Sequence, residues 1–537
     1  MKKEYLSVFL WLICTALFKQ ILWLGIVPIW QFPDESAHFA YVQNISEFGL
    51  KKPSYSSDEI AFSHKMLGTY PDEQGLNKYS FNPGFNIEYT ATYYGLHERE
   101  IKNAVGRQKF EEGLKEPADY PFLYYLFSSF FYNVFYYSDL ITRVFAVRFL
   151  AVILFTLTVW VSFLIGMELF KEKVWAIALA SLVAFHPMLS FVGAAVNSDS
   201  LFNFLFTVFI YGCLRMISRS NGKSLAIVVG SMAAGFATKP QMIVSFLILP
   251  TILVLKSKSC ITFIKSNILA VSAIFTFLIF LIAIGFRGGY LNFAMSYIAV
   301  NTDSGANIEH FFSYLKESLI HTYRLLLPWY WGAYKWLGVT LPRSVNRVQM
   351  SILLITVLGL FHYLWLFSVQ CIKSKKIHTE GKLVLFLCYV SFIYYFAIIF
   401  WDWRFSTYYG GSFGLQGRYF FPAISAHMAL IAFSFKKWGE LIAKRVGIVA
   451  GILVSWWIII HFVGLYTLSQ AYFETSSFQT FLLQVSQYKP AIFKGNWWFT
   501  WFGIVAIEIS VFYCWYMLLI RSSPKKVRVG QRHVKKQ

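Results

Sequence analysis

Charge is what this sequence has least of. Only 14% of its 537 residues are Asp, Glu, Lys or Arg, whereas 57% are hydrophobic and 20% aromatic; an ordinary soluble domain carries roughly 25% charge. A water-soluble globule is excluded. Acidic residues are scarcest, 27 against 48 basic ones for a net charge of +21. In a soluble chain that excess would point to nucleic acid. Here the basic residues stand in short clusters between apolar runs, so they read as membrane-topology signals and no nucleic-acid partner is expected. Cys14, Cys213, Cys260, Cys371, Cys388 and Cys514 show no C-x-x-C spacing, which argues against a disulfide framework or a thiolate metal site. There is no internal repeat, no Walker or dinucleotide glycine pattern, and no low-complexity block apart from a basic tail.

Long apolar runs are abundant. A helix needs about 20 residues to cross ~30 Å of hydrocarbon, and windows near that length fall at 5–29, 144–168, 174–192, 199–217, 224–238, 241–256, 266–285, 350–371, 383–401, 418–435, 446–468 and 499–520. The expected fold is an all-α integral membrane protein of about twelve transmembrane helices. Lys2-Lys3-Glu4 precedes the first run without a small-x-small cleavage site, so that run reads as an uncleaved anchor.

With twelve crossings both termini share one face with Lys171/Lys173, Arg215/Arg219/Lys223, Lys256/Lys258/Lys265, Lys373/Lys375/Lys376/Lys382 and Lys436/Lys437/Lys444/Arg445. The positive-inside rule makes that face cytoplasmic. A thirteenth apolar stretch, 121–137, is rich in Tyr and Phe. Parity makes it an interfacial or re-entrant helix within a long first outer loop, 31–143. The expected organisation is a polytopic membrane domain over 1–520, a second long outer loop at 286–349, and a basic cytoplasmic tail at 521–537.

Ionisable residues gather at the outer mouths of these spans. Pro33-Asp34-Glu35-Ser36-Ala37-His38-Phe39 follows the first span and Asn197-Ser198-Asp199-Ser200 opens the fourth. On a helix Asp34 and His38 share a face. Helix starting and capping by the acids is the plain reading; carboxylates at the mouth of a partly dry cavity, where protons and cations are handled, is the functional one. Asp34, His38 and Asp199 together are candidate ligands for a divalent cation. Opposite charge comes from Lys239 in Thr238-Lys239-Pro240 and Arg418 in Gln416-Gly417-Arg418-Tyr419-Phe420-Phe421-Pro422, with Arg404 and Arg324 as weaker candidates. Arg418 has the geometry to fork onto a phosphate at headgroup level. Trp329, Trp331, Trp401, Trp403, Trp497 and Trp498 read as belt anchors, one or two of them able to stack on sugar rings.

The run Pro-Asp-Glu-x-x-His-Phe after a first span, followed by Asn-x-Asp-Ser and Gln-Gly-Arg-Tyr-x-x-Pro, resembles a little-characterised group of bacterial GT-C membrane glycosyltransferases. Tyr120-Pro121-Phe122-Leu123-Tyr124-Tyr125 also resembles the His-Pro-Pro-Leu-Tyr-Tyr segment of the wider group, with Tyr120 and Phe122 departing from it. The resemblance implies a GT-C-like bundle in a bacterial cytoplasmic membrane. It also implies transfer of a sugar from a polyprenyl-phosphate or polyprenyl-diphosphate carrier to a cell-surface glycan or other acceptor on the outer face, with Asp34 as the catalytic carboxylate.

On that reading Asp34 takes the proton of the acceptor hydroxyl, which attacks the anomeric carbon with inversion, and Arg418 and Lys239 stabilise the leaving phosphate. Glu35 is carried with Asp34 as catalytic. His38, Asp199, Asn197 and Tyr419 stand on the substrate side, and whether they orient the acceptor, hold the sugar or bind a metal stays open. The rival functions are a polymerase or ligase of lipid-linked glycans, and a secondary transporter. The latter is disfavoured because its sites sit near the bilayer midplane on broken helices.

Overall fold

The computed structural model describes residues 3–50, 54–70, 87–111, 113–114, 120–219, 221–256, 308–374, 378–409, 414–442 and 446–522. Seven helices are long and apolar enough to cross a membrane: Leu6–Ile26, Leu140–Phe170, Asp199–Ser218, Arg343–Lys373, Thr379–Thr407, Val446–Tyr472 and Trp497–Ser522. They coincide with seven of the twelve expected spans. Three more expected spans are shorter apolar helices, Lys173–Ala184, Gly222–Phe236 and Pro240–Leu255. The span expected at 418–435 is a 3-10 turn, Gly417–Ala423, running into the helix Ile424–Ile442. The one expected at 266–285 lies outside the described residues, as do residues 286–307 of the second loop and the tail beyond 522.

In chain order the helices that position the site are α1 (Lys3–Ile26), α2 (Glu35–Phe48), α3 (Asp58–Met66), α4 (Glu98–Lys102), α5 (Leu123–Val134), α6 (Leu140–Phe170), α7 (Lys173–Ala184), α8 (Pro187–Val192), α9 (Asp199–Ser218), α10 (Gly222–Phe236) and α11 (Val244–Leu255). After the undescribed segment come α12 (Ile308–His321), α13 (Leu327–Trp331), a two-strand ribbon of β1 (Ala333–Tyr334) and β2 (Val339–Thr340), then α14 (Arg343–Ser374), α15 (Thr379–Tyr409), α16 (Ile424–Ile442), α17 (Val446–Tyr472), α18 (Phe478–Val485) and α19 (Trp497–Ser522). The central helix is α6, packed on α1, α5, α7 and α9, while α1 also lies against α19.

Two departures from the expected spans have local causes. The stretch 174–192 is two helices because Pro187 supplies no N–H and its ring disfavours helical geometry at His186. His186 Nδ1 instead caps α8 by accepting the Leu189 N–H at 3.3 Å. The Tyr- and Phe-rich stretch 121–137 forms α5, 12 residues long, or about 18 Å at 1.5 Å per residue, short of the ~30 Å needed to cross. Its buried side carries Tyr124, Tyr125, Ser128 and Tyr132, while Phe127, Phe130 and Val134 face outward.

Candidate functional site

The site begins where α1 ends. An α-helix leaves its last carbonyls without partners; here Lys489 Nζ reaches Ile26 O at 3.4 Å, and two cations take the carbonyls that follow. Arg148 of α6 donates to Val27 O and Pro28 O, each at 2.8 Å, and Lys489 Nζ donates to Val27 O at 2.8 Å. Both charges also complement the negative end of the helix dipole. Beyond them the chain turns sharply, with Trp30 (φ 59°) and Asp34 (φ 62°) in the left-handed region, which costs a non-glycine residue energy and persists only where surroundings over-determine it.

Glu35 provides that determination. Its carboxylate accepts Arg148 Nε at 2.7 Å and Nη2 at 2.6 Å, the Trp30 N–H at 3.0 Å, and the Val196 N–H at 3.0 Å. The side chains of Glu35 and Arg148 have no exposed surface. One carboxylate therefore ties the turn bearing Asp34 to α6 and to the loop that leads into Asp199.

That second loop is built around Asn197. Its amide donates to Val192 O at 2.8 Å and Ala195 O at 3.0 Å, its Oδ1 accepts the Ser200 N–H at 3.1 Å, and its own N–H reaches the Tyr124 hydroxyl at 3.0 Å. Asn197 thus shapes the start of α9, and Asp199, the first residue of that helix, forms an ion pair with Lys239 from the turn after α10. The Lys239 ammonium also stands 5.3 Å from the centre of the Tyr120 ring.

Arg418 closes the arrangement from the far end of the chain. Gly417 lets its 3-10 turn lie directly on the backbone of Trp329 and Tyr330, where a Cβ would collide. The Arg418 guanidinium, only 6% exposed, sits 5.0 Å from the Phe32 ring and 5.6 Å from that of Tyr419, and its Nη2 is 3.6 Å from Asp34 Oδ2. Asp34 itself is 58% exposed. Arg418 Nε is buried with no hydrogen-bond partner among the described residues.

His38, one turn along α2 from Asp34, shares a hydrogen bond of 2.8 Å between Nδ1 and the Tyr125 hydroxyl. Burial pushes its imidazole down to about 4, with Asp34 and Asp199 raising it and Lys239 and Arg418 lowering it. These four charges act on one ring, so Asp34, His38, Asp199, Lys239 and Arg418 share a single centre. Among the described residues no group of three or more His, Cys, Asp or Glu is arranged to hold a metal ion; Asp199 is instead paired with Lys239.

The remaining sequence candidates fall elsewhere. Arg404 lies on α15 with its guanidinium 5.5 Å from the Trp403 ring. Arg324 is exposed in the π-helical turn Thr322–Leu326. Tyr124 and Tyr125 belong to the run already singled out in the sequence, whereas Arg148 was passed over. The signal for Arg148 was available, since a charge inside an expected span is costly and faces the protein interior.

No curated protein matches the chain. Among solved structures it is similar to ArnT from Cupriavidus metallidurans in the apo state, at 12% identity and TM-score 0.45, covering 96% of this chain and 77% of that one. It is likewise similar to the same protein bound to undecaprenyl phosphate, at 11% identity and TM-score 0.42, covering 97% of this chain and 77% of that one. A third similarity is to the apo oligosaccharyltransferase of Archaeoglobus fulgidus, at 13% identity and TM-score 0.39, covering 88% of this chain and 56% of that one. Residues 17–426 match the family described as predicted membrane protein (DUF2142), and the chain belongs to that family.

Proposed function

We propose that this protein is an inverting GT-C-type glycosyltransferase that moves a sugar from a polyprenyl-phosphate carrier to a glycan acceptor on the outer face of a bacterial cytoplasmic membrane. In this reading residues 1–520 form the membrane domain, both termini are cytoplasmic, and α5 lies in the outer interface. The observation that carries it is the convergence of an exposed carboxylate, Asp34, with the Arg418 guanidinium at 3.6 Å, beside a second carboxylate–cation pair, Asp199–Lys239.

The two pairs divide the work. Lys239 is tightly engaged by Asp199, whereas the Asp34–Arg418 contact is long and open to solvent. A lipid phosphate entering beside Arg418 would draw the guanidinium onto its own oxygens, because a forked charge-assisted pair outcompetes a single long contact. That exchange frees Asp34. The acceptor hydroxyl then attacks the anomeric carbon, its proton passes to Asp34, the anomeric C–O bond breaks, and the electron pair leaves on the polyprenyl phosphate. Arg418 and Lys239 stabilise the charge developing there. His38 is neutral at pH 7 and orients the acceptor by hydrogen bonding rather than by charge. Glu35 acts through position, holding the turn that bears Asp34, and Asn197 does the same for Asp199.

The test is transfer of labelled sugar from synthetic polyprenyl-phosphate donors to membranes containing the protein, with surface glycans from cells lacking the gene to identify the missing sugar. Transfer that depends on Asp34 and Arg418 supports the reading. A requirement for a diphosphate-linked glycan instead would point to a polymerase or ligase.

A further inference from the structure

The turn that bears Asp34 is held a second time, from α3. Trp30 is 4% exposed and stands in the left-handed region at φ 59°. Glu35 takes its backbone N–H at 3.0 Å, and the indole is held separately. Its Nε1 donates to Ser63 Oγ at 2.9 Å, while that hydroxyl donates to Ile60 O at 2.7 Å. Ser63 thus gives its one proton to its own helix and keeps a lone pair for Trp30. The next residue of α3, His64, lies face to face with the indole, ring centres 5.5 Å and planes 15° apart, and Phe39 of α2 meets it at 5.7 Å. Both Ser63 and His64 are buried.

A helix of nine residues is too short to stand alone in water. What anchors α3 is Glu59. Arg143 of α6 forks onto its carboxylate, Nη1 to Oε1 and Nη2 to Oε2, both at 2.8 Å, with side chains only 3% and 1% exposed. Arg143 Nη1 also donates to the Tyr132 hydroxyl at 2.7 Å, and the Gln43 amide donates to that hydroxyl at 3.2 Å and to Glu59. One buried network therefore joins α3 to α2, α5 and α6. Glu59 and Ser63 are four residues apart and share a helix face, so the face seated on Arg143 is the face that reaches Trp30.

We propose that Ser63 and His64 are positioning residues, which through the Trp30 indole set the direction in which the turn 30–34 presents Asp34. Left-handed backbone at a non-glycine residue persists only where its surroundings over-determine it. The hydrogen bond from the Trp30 N–H to Glu35 fixes one point of the turn. The indole, gripped at its edge by Ser63 and across its face by His64, fixes an orientation. The effect on the turn stands by itself, whereas the effect on catalysis rests on the proposed reaction, in which a carboxylate misplaced by about 1 Å loses on the order of 10²-fold in rate.

The test uses the full chain in lipid nanodiscs. Ser63→Ala and Trp30→Phe each remove the bond between indole and hydroxyl, and Ser63→Thr keeps it. Hydrogen exchange read by mass spectrometry should show amide protection across residues 29–36 falling about tenfold in Ser63→Ala and Trp30→Phe, the equivalent of one lost hydrogen bond, with Ser63→Thr close to the natural protein. In transfer from synthetic polyprenyl-phosphate donors those two variants should lose about 10- to 100-fold in kcat at unchanged donor KM, because Arg418 and Lys239 stay in place, and Ser63→Thr should retain the rate. Unchanged exchange at 29–36 in the folded Ser63→Ala and Trp30→Phe proteins would overturn the clamp, and raised exchange with a normal kcat would overturn its positioning role. A natural protein that transfers no sugar would refute the proposed reaction instead, and the exchange result would then decide the clamp by itself.

Discussion

Glu35 and Arg148 meet fork on fork, Oε1 to Nε at 2.7 Å and Oε2 to Nη2 at 2.6 Å, with neither side chain exposed. Asp34, the residue next to Glu35, is 58% exposed and, among the described residues, has the long Arg418 contact as its one ion pair. Adjacent carboxylates thus have opposite fates. The left-handed backbone at Asp34 turns one carboxylate outward as α2 begins and leaves the next facing the core.

Removing one partner of a buried pair leaves the other charge unpaired, at a cost of about 3–5 kcal/mol. Arg148→Met should therefore lower the amount of folded protein and its melting temperature sharply. The double variant Arg148→Met with Glu35→Gln should recover part of that loss, since it removes the unpaired charge and the one amide oxygen can still accept from either the Trp30 or the Val196 N–H, which two different carboxylate oxygens take in the natural protein. Activity normalised to folded protein separates this positional role from a chemical one: if Glu35 itself transferred protons, the recovered double variant would be inactive.

Asp34→Asn should behave in the opposite way. Asparagine tolerates the left-handed conformation and the side chain is exposed, so abundance and melting should stay near normal. Turnover should fall by about 10²–10⁴-fold, the usual size of a general-base contribution. Single-turnover transfer in membrane vesicles checks it, and a normal rate would remove Asp34 from the chemistry.

Much of this was readable in one dimension. Apolar length marked seven long helices, and Asp34, His38, Asp199, Lys239 and Arg418 stood out as ionisable residues at the ends of apolar runs. The break at His186 divides what the sequence presents as one span, 174–192, although Pro187 is the residue that dictates it. What the chain hid were pairings. Glu35 and Arg148 are 113 positions apart, and nothing local says which of two neighbouring acids a distant arginine will take. Trp30 and Ser63 are 33 positions apart, and only packing of α3 onto the turn after α1 brings them together.

Arg418 and Lys239 should differ as their geometry differs. Arg418→Lys keeps the charge but loses the planar fork, so apparent donor affinity should fall about tenfold or more while the base at Asp34 stays intact. Lys239→Met leaves Asp199 without its partner in a mostly buried setting, so it should lower stability as well as activity, and Asp199→Asn in the same chain should restore stability more than activity. Donor titrations read alongside melting curves distinguish the two. Equal losses of stability in Arg418→Lys and Lys239→Met would mean that Arg418 only anchors its turn.

His38 sets a stability window in pH. The unfolded chain protonates this histidine near 6.5, whereas burial among Asp34, Asp199, Lys239, Arg418 and Tyr125 holds the folded one to about 4. Between those values the unfolded state binds more protons, so stability falls as pH drops from about 6.5 and levels off below about 4, a loss on the order of 3 kcal/mol from this residue. His64, also buried and held to about 4, contributes in the same window and sign, so the comparison must isolate His38. His38→Gln keeps a partner for the Tyr125 hydroxyl and removes the titration. Its melting temperature should fall less than that of the natural protein between pH 7 and pH 4.5, with the two curves converging toward the acid end if the variant is the less stable at neutral pH. Parallel curves across that range would show that His38 is protonated equally in the folded and unfolded chains, and with that the neutral, hydrogen-bonding role assigned to it would fall.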